Sequence, residues 1–145
     1  MAGELPVTAA QVAVIDPLKA EIYTFQAAAA LTAGQVVYVL AAGTVGLADA
    51  TTAGGALIQA RGIALNAAAI GKPVDVLKKG RVAGFTVSGM DASAPVFLSE
   101  TAGALADATP AGTGTAVVVG VVVTMPEKDA TKVLFADFRW GPDWA

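Results

Sequence analysis

From residue 20 onward, apolar residues alternate with polar ones in short runs that Gly, Pro and Asp-Ala pairs separate. This spacing predicts β-strands, because successive side chains of a strand point to opposite faces. No run has the length of an independently stable helix, so we expect at most one or two helical turns. The predicted strands cover residues 21–26, 35–40, 44–48, 58–65, 74–78, 81–87, 95–99, 116–124 and 132–138.

Part of this pattern occurs twice. The sequence Leu-Ala-Asp-Ala-Thr at residues 47–51 returns at residues 105–109, an offset of 58, and Gly62 and Gly120 follow at the same distance in each copy. A glycine that interrupts a strand pattern indicates a bulge or a close backbone approach. The copies extend over about residues 33–64 and 92–122, each with the order strand, turn, short strand, loop, strand.

A duplicated unit of this kind is a supersecondary structure that is used twice, and it constrains the fold of the whole chain. Closure of short strands into a barrel removes exposed edges. The sequence therefore predicts a mainly β fold, a small barrel with little helix, built from a duplicated strand-turn-strand unit. We expect one β domain over residues 21–145, preceded by an extended N-terminal arm.

The predicted arm, residues 1–20, lies outside the repeat and contains two prolines. A helical turn is predicted near residues 8–14, with Thr8 as its cap. The segment is either a disordered tail or an arm that becomes ordered on a neighbouring subunit. Its apolar content favours the arm, and the candidate contact residues are Leu5, Val7, Val12, Val14, Ile15 and Leu18.

The composition favours assembly. Hydrophobic residues make up 55% of the chain and charged residues 14%, against about 25% charged residues in an average domain. Much of the surface must therefore be small and apolar, which suits a subunit that buries surface against neighbours. We expect no signal peptide, because no basic residue precedes Lys19 and an apolar h-region is lacking. We expect no membrane span, because the uncharged stretch at 22–48 is broken by glycines and alternates in polarity.

Several chemistries are excluded by residue type. The chain has no histidine and no cysteine, which removes the usual zinc sites, thiol nucleophiles and imidazole bases. The net charge is −3, and the nine basic residues are scattered apart from the cluster at 78–81. That cluster is predicted to be a solvated turn between strands, so we expect no nucleic-acid binding.

Asp49 and Asp107 occupy equivalent points of the two copies. Paired carboxylates in a duplicated β fold suggest the dyad of aspartic proteases. Here, however, each Asp is followed by Ala-Thr and lacks the hydroxyl residue and glycine of that motif. The preferred interpretation is that each Asp stabilises a turn through its side chain, with the amide two residues later as donor.

Four aromatic residues lie close to the C-terminus: Phe135, Phe138, Trp140 and Trp144. Two interpretations stay open. The rings fill one end of the barrel core, or they form a contact with another chain, where tryptophan is enriched.

The segments 34–39, 43–50, 61–69, 71–76 and 79–82, which share a rhythm of Gly, Ala and Val, resemble bacteriophage head decoration proteins, also called capsid cement proteins. The resemblance covers about residues 20–138 and implies a lambda-head-decoration-like β-tulip fold. It also implies a homotrimer on the outside of the expanded capsid and an N-terminal segment that contacts other chains. The family has no catalytic residues to carry over.

The expected function is therefore that of a structural virion protein that stabilises the capsid, made in the host cytoplasm and located on the outer capsid surface. The expected partners are the major capsid protein and neighbouring decoration trimers. We expect no enzymatic activity, no cofactor, no metal and no small-molecule substrate. The alternative is a phage tail or fibre module that binds a receptor or glycan.

Overall fold

The computed structural model describes residues 4–50, 58–109, 117–125 and 131–138. The described chain is mainly β, as the sequence predicts, with two short 3₁₀ turns at Ala9–Gln11 and Pro17–Lys19. The strands are β1 Ala13–Val14, β2 Glu21–Ala27, β3 Val36–Val39, β4 Thr44–Leu47, β5 Ala60–Ala64, β6 Pro73–Ala83, β7 Pro95–Leu98, β8 Leu105–Ala106, β9 Val118–Met125 and β10 Thr131–Asp137.

Nine of these strands form one continuous path in the order β2-β4-β3-β5-β6-β10-β9-β7-β8. β2 also pairs with β6, so β2, β4, β3, β5 and β6 close into a five-stranded barrel. The closing pair β2–β4 is parallel, with Gln26 opposite Thr44. The small barrel expected from the sequence is thus confirmed.

The duplication is visible in the strand registers. Ile63 pairs with Leu77 across β5 and β6, and Val121 pairs with Phe135 across β9 and β10, again at an offset of 58. Each unit therefore has four strands, β4-β3-β5-β6 in the first repeat and β8-β7-β9-β10 in the second. The two units meet where Lys79 lies opposite Asp137, and these residues are themselves equivalent positions.

Gly62 and Gly120 lie beside the bulges that the sequence predicts. The register shifts after Val37 opposite Gly62 and after Val96 opposite Gly120. A side chain at Gly62 would meet Leu77 O at 2.7 Å, and one at Gly120 would meet the carbonyl oxygen of Phe135. Both glycines are therefore required by close backbone approach.

Two apolar clusters hold the described chain together. The smaller one fills the barrel and includes Val37, Val45, Val74 and Val76. The larger one draws residues from both repeats, including Ile63 and Leu77 from the first and Leu98 and Leu134 from the second, all fully buried. The larger cluster makes the two repeats one folding unit, because neither repeat alone buries the apolar side chains of that cluster.

Two local predictions were wrong. Residues 78–81 are not a turn, because β6 continues through them to Ala83. The break in the pattern reflects a bulge at Lys78, which the pairing with β2 skips, and Gly80 at φ +145°. Thr8 precedes a 3₁₀ turn but makes no side-chain cap hydrogen bond.

Candidate interaction surfaces

The second repeat is completed by residues 4–8, which we call the closing segment. Glu4 pairs with Ala106 of β8, and Val7 pairs with Phe85, which follows β6. The segment thus lies between β8 and the continuation of β6. In the first repeat, β2 pairs directly with both β4 and β6 and leaves no such gap.

Hydrogen bonds on both sides fix the closing segment. The Leu5 amide donates to Leu105 O at 2.9 Å, the Thr8 amide to Gly84 O at 2.9 Å, and the Thr86 amide to Pro6 O at 2.9 Å. The Thr101 hydroxyl donates to the Glu4 carboxylate. Leu5 is 8% exposed and belongs to the larger core cluster.

The six candidate contact residues of the arm therefore differ in their surroundings. Leu5 is buried, and Val12 and Val14 pack against the core of their own chain. The half-buried Ile15 donates its amide hydrogen bond to Arg81 O at 3.0 Å. Val7 is 42% exposed and Leu18 is 97% exposed. Contact with another chain stays a prediction for all six, and Leu5, Val12 and Val14 would first have to leave their own core.

An apolar surface lies around the start of β2. Leu18, Ile22 and Tyr23 are among the seven large hydrophobic side chains that are exposed in the described part of the chain. Beside them, Lys78 Nζ and Glu21 Oε1 form an ion pair at 3.2 Å. We call Leu18 and Ile22 the β2 surface; Tyr23, the next residue of the strand, points to the opposite face.

The C-terminal aromatic residues do not share one environment. Phe138 is 2% exposed in the larger core cluster, and its amide donates to Lys78 O at 2.9 Å. Of the two interpretations of these rings, packing in the core is the one that fits Phe138. Phe135 is half-buried and lines an open cleft of about 330 Å³ together with Asp16, Lys19 and Arg81. Trp140 and Trp144 lie outside the described residues.

Asp49 and Asp107 follow β4 and β8, at equivalent points of the two repeats. Asp49 is half-buried and Asp107 is exposed. Both take part in polar or electrostatic interactions. The proposed donor to Asp49, the amide of Thr51, lies outside the described residues.

An open cleft of about 450 Å³ lies beside the closing segment. Its walls come from the segment itself, from Gln35 of the first repeat, from Phe85 and from the turn before β8. The cleft therefore leaves one side of the closing segment open to solvent.

Across the described ranges, no three His, Cys, Asp or Glu side chains come together in a way that could hold a metal ion. The same ranges contain no helix that is long and apolar enough to cross a membrane. Comparison with known proteins yields no matching family model, no similar curated protein and no similar solved structure.

Proposed function

We propose that this chain is a structural virion protein that binds the outside of an expanded phage capsid as a homotrimer and stabilises it. The observation that carries the proposal is the exposure of large apolar side chains on a chain with few charges. Leu18 is 97% exposed. Burying such a side chain is worth about 1.5–3 kcal/mol, so the β2 surface gains stability when another chain covers it.

The stabilisation is thermodynamic. A protein that binds only the expanded shell favours that state by mass action, as any ligand favours the state to which it binds. Three linked copies add avidity, because the second and third contacts form at a high effective concentration. The major capsid protein is the proposed partner, and the trimer itself is a second interface.

The architecture supports a scaffold role. Two repeats share one buried core, and no described polar side-chain atom is buried without a hydrogen-bond partner. Such a core is well suited to holding surface loops in fixed positions. The resemblance to capsid decoration proteins over residues 20–138 points to the same role.

Two measurements test this proposal. Sedimentation velocity should show a species of three times 14.4 kDa. Labelled protein mixed with expanded and unexpanded shells of the phage that carries this chain should co-sediment at least tenfold more tightly with expanded shells. A stable monomer, or equal binding to both shells, would contradict the proposal.

A further inference from the structure

We propose that the gap between β8 and residues 84–86 is a strand-acceptor site that also takes the closing segment of a second copy of this chain. This inference rests on the proposed assembly, because exchange needs copies that are held side by side. The occupant is identified by the structure, since residues 4–8 already fill the site in their own chain.

The comparison between the repeats identifies the site. In the first repeat, β2 closes the barrel by pairing directly with β4 on one side and with β6 on the other. In the second repeat, the continuation of β6 replaces β2 and does not reach β8. The closing segment bridges the two with one backbone pair on each side, Glu4 with Ala106 and Val7 with Phe85.

The hold on the closing segment is limited. Only Leu5 is buried, whereas Glu4, Pro6, Val7 and Thr8 are exposed. The open cleft of about 450 Å³ beside the segment leaves one side of it accessible to solvent. Opening the site breaks the hydrogen bonds named above and exposes Leu5, and the same contacts form again when an identical segment enters.

The chain has the reach for this exchange. Residues 4–12 precede β1. No residue of the 3₁₀ turn within them is buried, and releasing the full length also removes Val12 from its packing against the core. Nine extended residues span roughly 30 Å, which is comparable to the width of a 145-residue domain with a radius of gyration of about 15 Å. A released segment that stays tethered at β1 can thus enter a neighbouring copy, which is the geometry of domain swapping.

Cysteine pairs test the exchange, because the chain has no cysteine of its own. The bonds from Thr8 to Gly84 and from Thr86 to Pro6 flank the pair Val7–Phe85, so it is a non-hydrogen-bonded pair. The Cα atoms of such pairs lie about 4.5 Å apart, within disulfide range. Val7→Cys is prepared in one chain and Phe85→Cys in another, one of them carrying a mass tag. A 7–85 disulfide formed after mixing must join two chains.

The proposal expects the 7–85 heterodimer as the main covalent product at concentrations where the protein assembles. Leu5→Asp in the Val7→Cys chain should reduce this product at least fivefold, because the segment loses its buried anchor. The matched control mixes Thr24→Cys with Asp75→Cys, which are opposite residues in the β2–β6 ladder. That pair should give no heterodimer. Glu4→Cys with Ala106→Cys repeats the test if Phe85→Cys disturbs folding.

The outcomes separate the two proposals. A trimer that binds expanded shells but forms no 7–85 product, and no 4–106 product, overturns exchange and leaves the proposed function intact. A monomer that binds no shell overturns the proposed function. In that case the presence or absence of the 7–85 product still decides whether chains exchange segments.

Discussion

Gly62 and Gly120 are positions where two backbones approach too closely for any side chain. Both lie in the same strand of their repeats, next to the bulge that bends that strand. At Gly120 the obstacles are backbone atoms, Phe135 O and Ala136 Cα at 3.2 Å. Backbone atoms cannot rotate away as a side chain does, and Gly62 also meets one, Leu77 O at 2.7 Å.

Gly120→Ala should lower the free energy of unfolding by about 1–3 kcal/mol, the usual cost of overpacking. Gly62→Ala should have a similar effect, because it meets Leu77 O at 2.7 Å. Gly89→Ala is the control, since a side chain there meets nothing within 4 Å. It should be neutral or stabilising by up to about 1 kcal/mol. Urea denaturation measures all three, and equal stability of Gly120→Ala and Gly89→Ala would contradict the close approach.

At the scale of elements, the period-two pattern placed β3, β4, β5, β7, β9 and β10, whereas β8 followed only from the repeat. It failed at β6, where the bulge at Lys78 and the positive φ of Gly80 look like a turn in sequence. It also missed that β6 and β10 belong to the repeat. Residues 74–79 and 132–137 have equivalent registers without matching residues, so only the pairing reveals their relation.

The closing segment could not be predicted as a strand of the second repeat. Its apolar residues indicated that it packs against something, and the structure shows that Leu5 packs in its own core. The missing information was the gap between β8 and the continuation of β6, which depends on how far two strands extend in three dimensions. A local pattern does not contain this distance.

Leu5→Ala should lower the free energy of unfolding by about 2 kcal/mol, near the lower end for buried leucine because the site is at the surface. The loss should be local. Hydrogen exchange should accelerate at the amides of Leu5, Thr8 and Thr86, while the amides of the five-stranded barrel keep their protection. Val7→Ala, at a side chain that is 42% exposed, is the control and should change stability by less than about 1 kcal/mol. Uniform acceleration in both repeats would contradict a separable closing segment.

For the whole molecule, the relevant feature is that large apolar side chains are exposed near both ends of β2. The β2 surface lies at the start of the strand, and Ile70 lies near its end, where the Gly71 amide donates to Ala27 O at 2.8 Å. β2 has seven residues, which separates these sites by roughly 20 Å. Ile70 is 70% exposed, so each end presents a large apolar side chain to solvent.

Leu18→Asp should therefore leave folding unchanged and weaken assembly. Leu18 is 97% exposed, and a substitution that touches nothing usually changes stability by no more than about 0.5 kcal/mol. A carboxylate placed in an apolar contact loses its hydration without a partner, so we expect the trimer or the shell complex to weaken at least tenfold.

Sedimentation velocity and co-sedimentation with expanded shells measure this loss. Ser88→Asp adds the same charge at an exposed polar residue and should assemble normally. Equal weakening by both variants would show a general effect of added negative charge on a chain of net charge −3, and normal assembly of Leu18→Asp would remove the β2 surface from the interface.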